Sequence, residues 1–127
     1  MVKLAVIRGD GIGGDCMASG LAVMEKALAY AGLSMPVMDD IAAGAGYFAE
    51  TGRDIEPDGE DRAGAADAIF LGAIGLPGIR HADGTEISPH LRLRESFGLY
   101  AGVRPVRAWP NAPRLLAAEA ASGIDLV

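Results

Sequence analysis

Short apolar runs alternate with stretches of helical periodicity along this chain, and few architectures besides a parallel α/β sheet accept that alternation. Val2–Ile7 (VKLAVI) has the length and apolar character of a buried parallel strand. Arg8–Gly14 (RGDGIGG) breaks it. Asp15–Ala31 then carries Met17, Leu21, Met24, Leu28 and Ala31 at spacings of three and four. That is the stripe of an amphipathic helix, and Gly32 is a natural stop in left-handed backbone. Gly20 inside the helix costs about 1 kcal/mol relative to alanine. Leu33–Ile41 predicts a second strand, with Pro36 placing it at an edge or delaying its start.

A short helix is expected over Ala42–Thr51, ending at Gly52, and a further helix start at Pro57 in the polar stretch Asp54–Gly64. Asp67–Ile74 (DAIFLGAI) is the clearest buried strand after the first, followed by a glycine-rich loop over Gly75–Gly84. Ser88 and Pro89 form an N-cap and N1 pair for a helix running to Phe97, closed by Gly98. Leu99–Val106 reads as a strand, Pro110–Pro113 as a loop and Arg114–Ala121 as a helix. Ile124–Val127 opens another strand that is cut off, an ending expected of a piece of a longer protein. No apolar run approaches the roughly 18 residues of a membrane span. The lone Cys16 excludes an internal disulfide and a thiolate metal cage. A cytoplasmic protein is expected, since no charged-then-apolar signal segment opens the chain.

Charge is distributed unevenly. Residues 1–77 hold 5 basic and 12 acidic groups, whereas residues 78–114 hold 6 arginines against Asp83, Glu86 and Glu95. Nucleic-acid binders spread basic charge over a face, and an acidic body with one arginine island does not fit that class. The island centres on Leu91–Arg107 (LRLRESFGLYAGVRPVR), with Arg92, Arg94, Arg104 and Arg107. Guanidinium groups grip carboxylates two bonds at a time, so the natural ligand is a small di- or tricarboxylate. Arg104 lies in an apolar setting, which favours a functional role over a surface ion pair.

Gly9, Gly11 and Gly14 satisfy the G-x-G-x-x-G pattern between a strand and a helix, with Asp39 or Asp40 near the distance of a ribose-binding acid. The other reading is a tight turn that uses glycine for positive φ. Asp10 inside the turn would repel a pyrophosphate. Gly72–Gly78 follows a strand and stands where open α/β sheets bind ligands, or it is a plain connection. His81 and His90 have no acidic cluster at ligand spacing around them, and no Ser-His-Asp set or phosphate-binding P-loop is present.

Three stretches together carry a resemblance: VIRGDGIGGD, DAIFLGAIGLP and LRLRESFGLYAGVRPVR. In order and spacing they resemble the metal-dependent β-decarboxylating dehydrogenases, the isocitrate/isopropylmalate dehydrogenase family that also holds homoisocitrate, tartrate and D-malate dehydrogenases. The resemblance covers essentially the whole chain. It implies an α/β fold of that family's own two-domain type, of which this chain is an incomplete N-terminal part. Residues 1–99 would belong to the larger domain and 100–127 to the beginning of the second. The implied activity is oxidation, usually with decarboxylation, of a malate-type 2-hydroxy acid by NAD⁺ or NADP⁺ with Mg²⁺ or Mn²⁺. The full-length protein would be a homodimer, with no nucleic acid or membrane partner.

Residue by residue, Arg94 and Arg104 match the arginines that clamp the departing carboxylate. Ser88, His90 and Leu91 fall on the substrate-selecting turn. Ile12, Gly72, Ala73, Gly75 and Glu86 fall on the nicotinamide-side wall. The family's tyrosine, lysine, third arginine, metal-binding aspartates and adenine loop match positions beyond Val127, so no catalytic or metal residue is expected within this chain, and the piece alone is expected to be inactive. The family turn G-D-G-I-G-P-E has Gly14 and Asp15 here in place of proline and glutamate. His90 stands where isopropylmalate enzymes place a leucine. A histidine there needs a hydrogen-bond partner or incurs a desolvation cost, which favours a more polar substrate. Two other readings stay open: a non-catalytic anion-binding or regulatory module, and a small Rossmann NAD-binding domain.

Overall fold

A computed structural model of the chain describes residues 1–109 and 123–127. β1 (Lys3–Ile7) is the middle strand of a three-stranded parallel sheet ordered β2-β1-β3, with β2 spanning Val37–Asp40 and β3 spanning Ala68–Leu71. Lys3 pairs with Val37 on one side, and Leu4 with Ala68 on the other. Helix α1 (Gly13–Tyr30) makes the crossover from β1 to β2. Helices α2 (Ala45–Thr51) and α3 (Gly59–Gly64) make the return to β3, and α4 (Pro89–Ser96) follows.

The two-residue period of β1 divides the core into two layers. Leu4 and Val6 pack with Met17, Leu21 and Met24 of α1 and with Phe70 of β3. Ala5 and Ile7 face the opposite layer, which contains Ile41, Ile55, Ala63 of α3 and Leu93 of α4. Val6 and Ile7 are fully buried; full burial is worth about 1.5–3 kcal/mol for each such side chain. The methionine and leucine stripe read from the sequence is therefore the inner face of α1. Gly20 has a packing reason: a Cβ there would stand 2.8 Å from Cζ of Phe70.

The helix ends follow the glycines. Gly32 adopts φ +71, and Leu33 N–H donates to Leu28 O at 2.8 Å in a Schellman-type closure. Gly98 (φ +60) ends α4 in the same way, with Leu99 N–H donating to Arg94 O at 2.9 Å. Pro36 acts as expected: β2 starts just after it and lies at the sheet edge.

The expected strand over Leu99–Val106 requires correction. Residues 99–105 have no regular secondary structure, and only β4 (Val106–Arg107) pairs, antiparallel to β5 (Asp125–Leu126). Apolar composition alone does not make a strand without a neighbour to bond. Pro105 also removes a ladder donor in the middle of the stretch. The expected loop Pro110–Pro113 and helix Arg114–Ala121 fall outside the described residues, apart from their flanks. No helix among the described residues is long and apolar enough to cross a membrane.

Candidate functional site

The chain runs from β1 to β2 on one side and returns to β3 on the other, so its topological switch point lies between the carboxyl ends of β1 and β3. Open α/β sheets bind ligands at such a point. Here it is filled by backbone. Asp10 N–H donates to Ala73 O at 2.7 Å. A Cβ on Gly9 (φ +76) would lie 2.0 Å from that same oxygen, and a Cβ on Gly72 would lie 2.1 Å from Arg8 O. These glycines let the turn after β1 and the loop after β3 touch along their main chains.

A dinucleotide pyrophosphate needs this space and the free N–H groups of the turn. The Gly9–Gly14 turn offers neither at the β1–β3 crevice. Asp39 and Asp40, the candidate ribose acids, are also engaged. Arg62 holds Asp39 through two guanidinium nitrogens, and Arg8 holds Asp40 at 2.8 and 3.1 Å. The turn reading of the glycine motif is therefore the one the geometry supports.

Asp10 itself is 8% exposed. Its Oδ2 accepts N–H groups from Ala45 at 2.7 Å and Gly75 at 2.9 Å, and its Oδ1 accepts Gly46 N–H at 2.8 Å. The N-cap residue of α2 is Gly44, which has no side chain to cap with; Asp10 supplies the cap from 35 residues away. The sequence hint was the glycine at position 44, where a Cβ would stand 2.5 Å from Asp10 Oδ2.

Beside this locked pair of loops lies an open shelf. Ile12, the N-cap of α1, is 70% exposed. Leu76 Cδ2 stands 3.7 Å from a Cβ placed on Gly11, and a Cβ on Gly75 (φ +117) would meet nothing within 4 Å. Apolar side chains there stand next to bare, unobstructed backbone. Gly75 and Glu86 line one cleft of about 210 Å³ together with Ile74, Leu76 and Arg80. Glu86 does not stand alone in it, because Arg80 pairs with its Oε1 at 3.1 Å across an isolated bridge.

The arginine island is sorted by the faces of α4. Pro89 and Leu93, four apart, are buried. Arg92 and Ser96, also four apart, are tied down: Arg92 pairs with Asp54 at 3.0 Å and Glu60 at 3.2 Å, and Ser96 Oγ donates to Glu60. With two faces held, the third projects Leu91 and Arg94 outward. These two line a cleft of about 250 Å³ with Glu95 and Leu99. Among the described residues Arg94 makes no ion pair. His90 lies one helical turn before Arg94, and its Nδ1 is buried with no hydrogen-bond partner among the described residues. Ser88 is the N-cap of α4 by position, yet its side chain makes no capping bond.

Arg104 is not brought to Arg94 in that cleft. It lies in the exposed stretch after α4, so the apolar setting inferred for it from the sequence does not exist. Arg107 is paired with Asp125 at 3.6 Å and lies over the Trp109 ring at 5.2 Å. His81 is also apart from His90. It packs edge-on against Phe48 at 5.0 Å and lines a separate cleft of about 530 Å³ with Asp54, Glu60 and Arg92. No group of three or more His, Cys, Asp or Glu among the described residues is placed to hold a metal ion.

Two carboxylates have shifted acidities. The hydrogen bonds from Arg62 hold Asp39 below the ordinary value of 3.8, against a smaller opposing effect of desolvation. The same pairing raises Arg62. The hydroxyl and N–H of Thr85, both bonded to Asp83, hold that carboxyl below the ordinary 3.8 as well. Sequence reasoning missed Asp10 and Arg80 because each acts through a contact that local periodicity does not encode.

The family model for isocitrate/isopropylmalate dehydrogenase matches residues 3–127. A 3-isopropylmalate dehydrogenase from Thermobifida fusca (strain YX) is 37% identical over 126 residues, covering 99% of this chain and 35% of the relative. A D-malate dehydrogenase [decarboxylating] from Escherichia coli (strain K12) is 29% identical over 98% of this chain and 34% of its own length. The crystal structure of a β-decarboxylating dehydrogenase from Thermococcus kodakarensis, in its apo form, superposes with a TM-score of 0.66 at 29% identity, covering 84% of this chain and 30% of that one. The chain thus spans about a third of the length of the curated relatives it matches.

Proposed function

Because the chain belongs to the isocitrate/isopropylmalate dehydrogenase family, we propose that these residues are part of an NAD(P)⁺-dependent oxidoreductase that oxidises and decarboxylates a malate-type 2-hydroxy acid. The activity is proposed for the whole protein; the 127 residues alone are proposed to lack turnover. In this reading residues 1–99 are the N-terminal part of the larger domain and 100–127 begin the second. Cytoplasmic residence and homodimeric assembly are part of the proposal for the whole protein.

The observation that carries the reading is the sorting of α4. An unpaired arginine presented from a helix whose other faces are fixed has its backbone anchored and its planar fork free to take a carboxylate in two bonds. Arg94 would hold one substrate carboxylate, with Leu91 packing against the substrate carbon chain; Arg104, which lies outside this cleft, would join the clamp only in the whole protein. Ser88 and His90 would face the group at C3. Ile12, the Gly72–Gly75 loop and Glu86 would border the nicotinamide, which accepts the hydride when bound. Mg²⁺ or Mn²⁺ belongs to the same proposal, with its ligands expected beyond Val127.

His90 bears on the choice of acid. Its Nδ1 is buried and unpaired among the described residues, a state that costs about 1–3 kcal/mol. A polar imidazole next to the substrate would suit a hydroxyl or carboxylate substituent at C3 better than an isopropyl group. Tartrate or isocitrate is therefore favoured over isopropylmalate. Initial rates of NADH formation by the whole protein, with each acid in turn, test this. His90→Leu is expected to shift kcat/KM toward isopropylmalate by about tenfold; an unchanged ranking would remove His90 from the pocket. No NADH from any acid would instead favour the regulatory-module reading.

A further inference from the structure

We propose that Asp10 is a positioning residue for the nicotinamide-side shelf, acting through the Gly72–Gly75 loop. The ligand named here rests on the function proposed above; the mechanical part rests on the hydrogen bonds alone. Three main-chain N–H groups from two distant segments converge on one buried carboxylate: Ala45 and Gly46 of α2, and Gly75 of the loop after β3. Charge-assisted bonds of this kind are about twice as strong as neutral ones, and the positive end of a helix adds to the attraction. Asp10 is fixed at its other end too, because its own N–H donates to Ala73 O. The Gly72–Gly75 loop is thus held at both ends by one residue: at Ala73 through the main chain and at Gly75 through the side chain.

Gly75 is the position where that loop is open, with φ +117 and no atom within 4 Å of a Cβ. A glycine at such a φ has a wide range of conformations, and nothing in its own side chain restricts it. The bond to Asp10 selects one of them. The height of the shelf that a nicotinamide would lie on is therefore set from underneath, by a carboxylate that does not touch the ring.

Asp10→Asn tests this with the least change of shape. An amide replaces one acceptor oxygen by a donor, so at least one of the three N–H groups then faces an NH₂ group. In the whole protein, amide hydrogen exchange at Ala45, Gly46 and Gly75 reports the staple directly, and a fluorescence titration with NADH reports the shelf. Asp10→Asn is expected to speed exchange at one or more of these amides and to weaken NADH binding about tenfold. KM for NAD⁺ should rise more than KM for the hydroxy acid, as small displacements from productive geometry predict.

Gly46→Ala is a milder variant that keeps the charge. Its Cβ would stand 3.3 Å from Oδ1, enough to displace the carboxylate by a few tenths of an ångström. It should weaken NADH roughly two- to threefold by the same displacement. Unchanged exchange in Asp10→Asn would overturn the staple. Faster exchange with unchanged NADH affinity in both variants would overturn positioning. Wild-type protein that binds neither NADH nor NADPH would overturn the dinucleotide reading of this face, and this proposal with it, before any variant is compared; where NADPH is the one bound, it serves as the probe throughout.

Discussion

The loops at the carboxyl ends of β1 and β3 and the stretch from Leu99 to Trp109 each combine glycine, arginine and apolar residues, yet they behave oppositely. In the first, the glycines where the two main chains meet are dictated by named atoms: Gly9 and Gly13 by Ala73 O, and Gly72 by Arg8 O. In the second, Gly102 has Arg104 Nε at 4.0 Å and nothing closer. Tyr100 is 96% exposed and Trp109 63%. The same residue types mean different things according to what backbone stands opposite. Composition can locate both regions, but only the partner segment tells which one is locked.

Paired substitutions put that difference to the test. The largest effect is expected from Gly9→Ala, which meets both a left-handed φ and a carbonyl at 2.0 Å. It should lower unfolding free energy by about 3 kcal/mol or more, whereas Gly102→Ala should stay within about 0.5 kcal/mol. Denaturant titration decides it, and equal losses at the two positions would erase the distinction. Gly20→Ala comes next. Helix propensity gains about 1 kcal/mol, but the Cβ presses on Phe70, and overpacking costs about 1–3 kcal/mol. A net loss is expected in the single variant, and it should reverse when Phe70→Leu opens the space. A gain from Gly20→Ala alone would show that Phe70 yields freely.

The smallest effect concerns ion pairs. Arg62 lowers Asp39 below 3.8, so the pair stabilises the fold above the unfolded value and the benefit is lost as pH falls through the folded one. Asp39→Asn should therefore destabilise the protein at neutral pH, more weakly at high salt, and converge with wild type as pH falls below 3.8 and through the lowered value of Asp39. Asp125→Asn removes a partner of Arg107 in a pair exposed on both sides, 60% and 69%, and should change stability at neutral pH by less than about 0.5 kcal/mol. A parallel response of the two variants would mean that Arg62 contributes no more than an ordinary surface pair.

Legibility in the sequence follows the same division. β1, the inner stripe of α1, the stops at Gly32, Gly52 and Gly98, and the late start of β2 after Pro36 were all readable, because each depends on residues within one turn or one strand. Leu99–Val106 was misread because a strand needs a pairing partner, and apolar character does not supply one. Asp10 was read as a charge that would repel a phosphate, when its carboxylate is occupied by N–H groups 35 to 65 residues away. Gly20 looked like a weak point in a helix until Phe70 stood opposite it. On α4, the spacing of Leu91, Arg92, Arg94 and Ser96 was visible, but which face was free depended on Asp54 and Glu60 from other elements.

The central claim is that Arg94, left outward by the packing of α4, receives a substrate carboxylate. It is tested most directly by kcat/KM of the whole protein for its best 2-hydroxy acid, compared between wild type and Arg94→Lys. Lysine keeps the charge but loses the planar fork. A drop of about 10- to 100-fold is expected, corresponding to one charge-assisted bidentate contact of about 1.5–3 kcal/mol. The same variant should leave NADH affinity within about twofold, since the dinucleotide shelf is a separate surface. A kcat/KM equal to that of wild type would contradict the account.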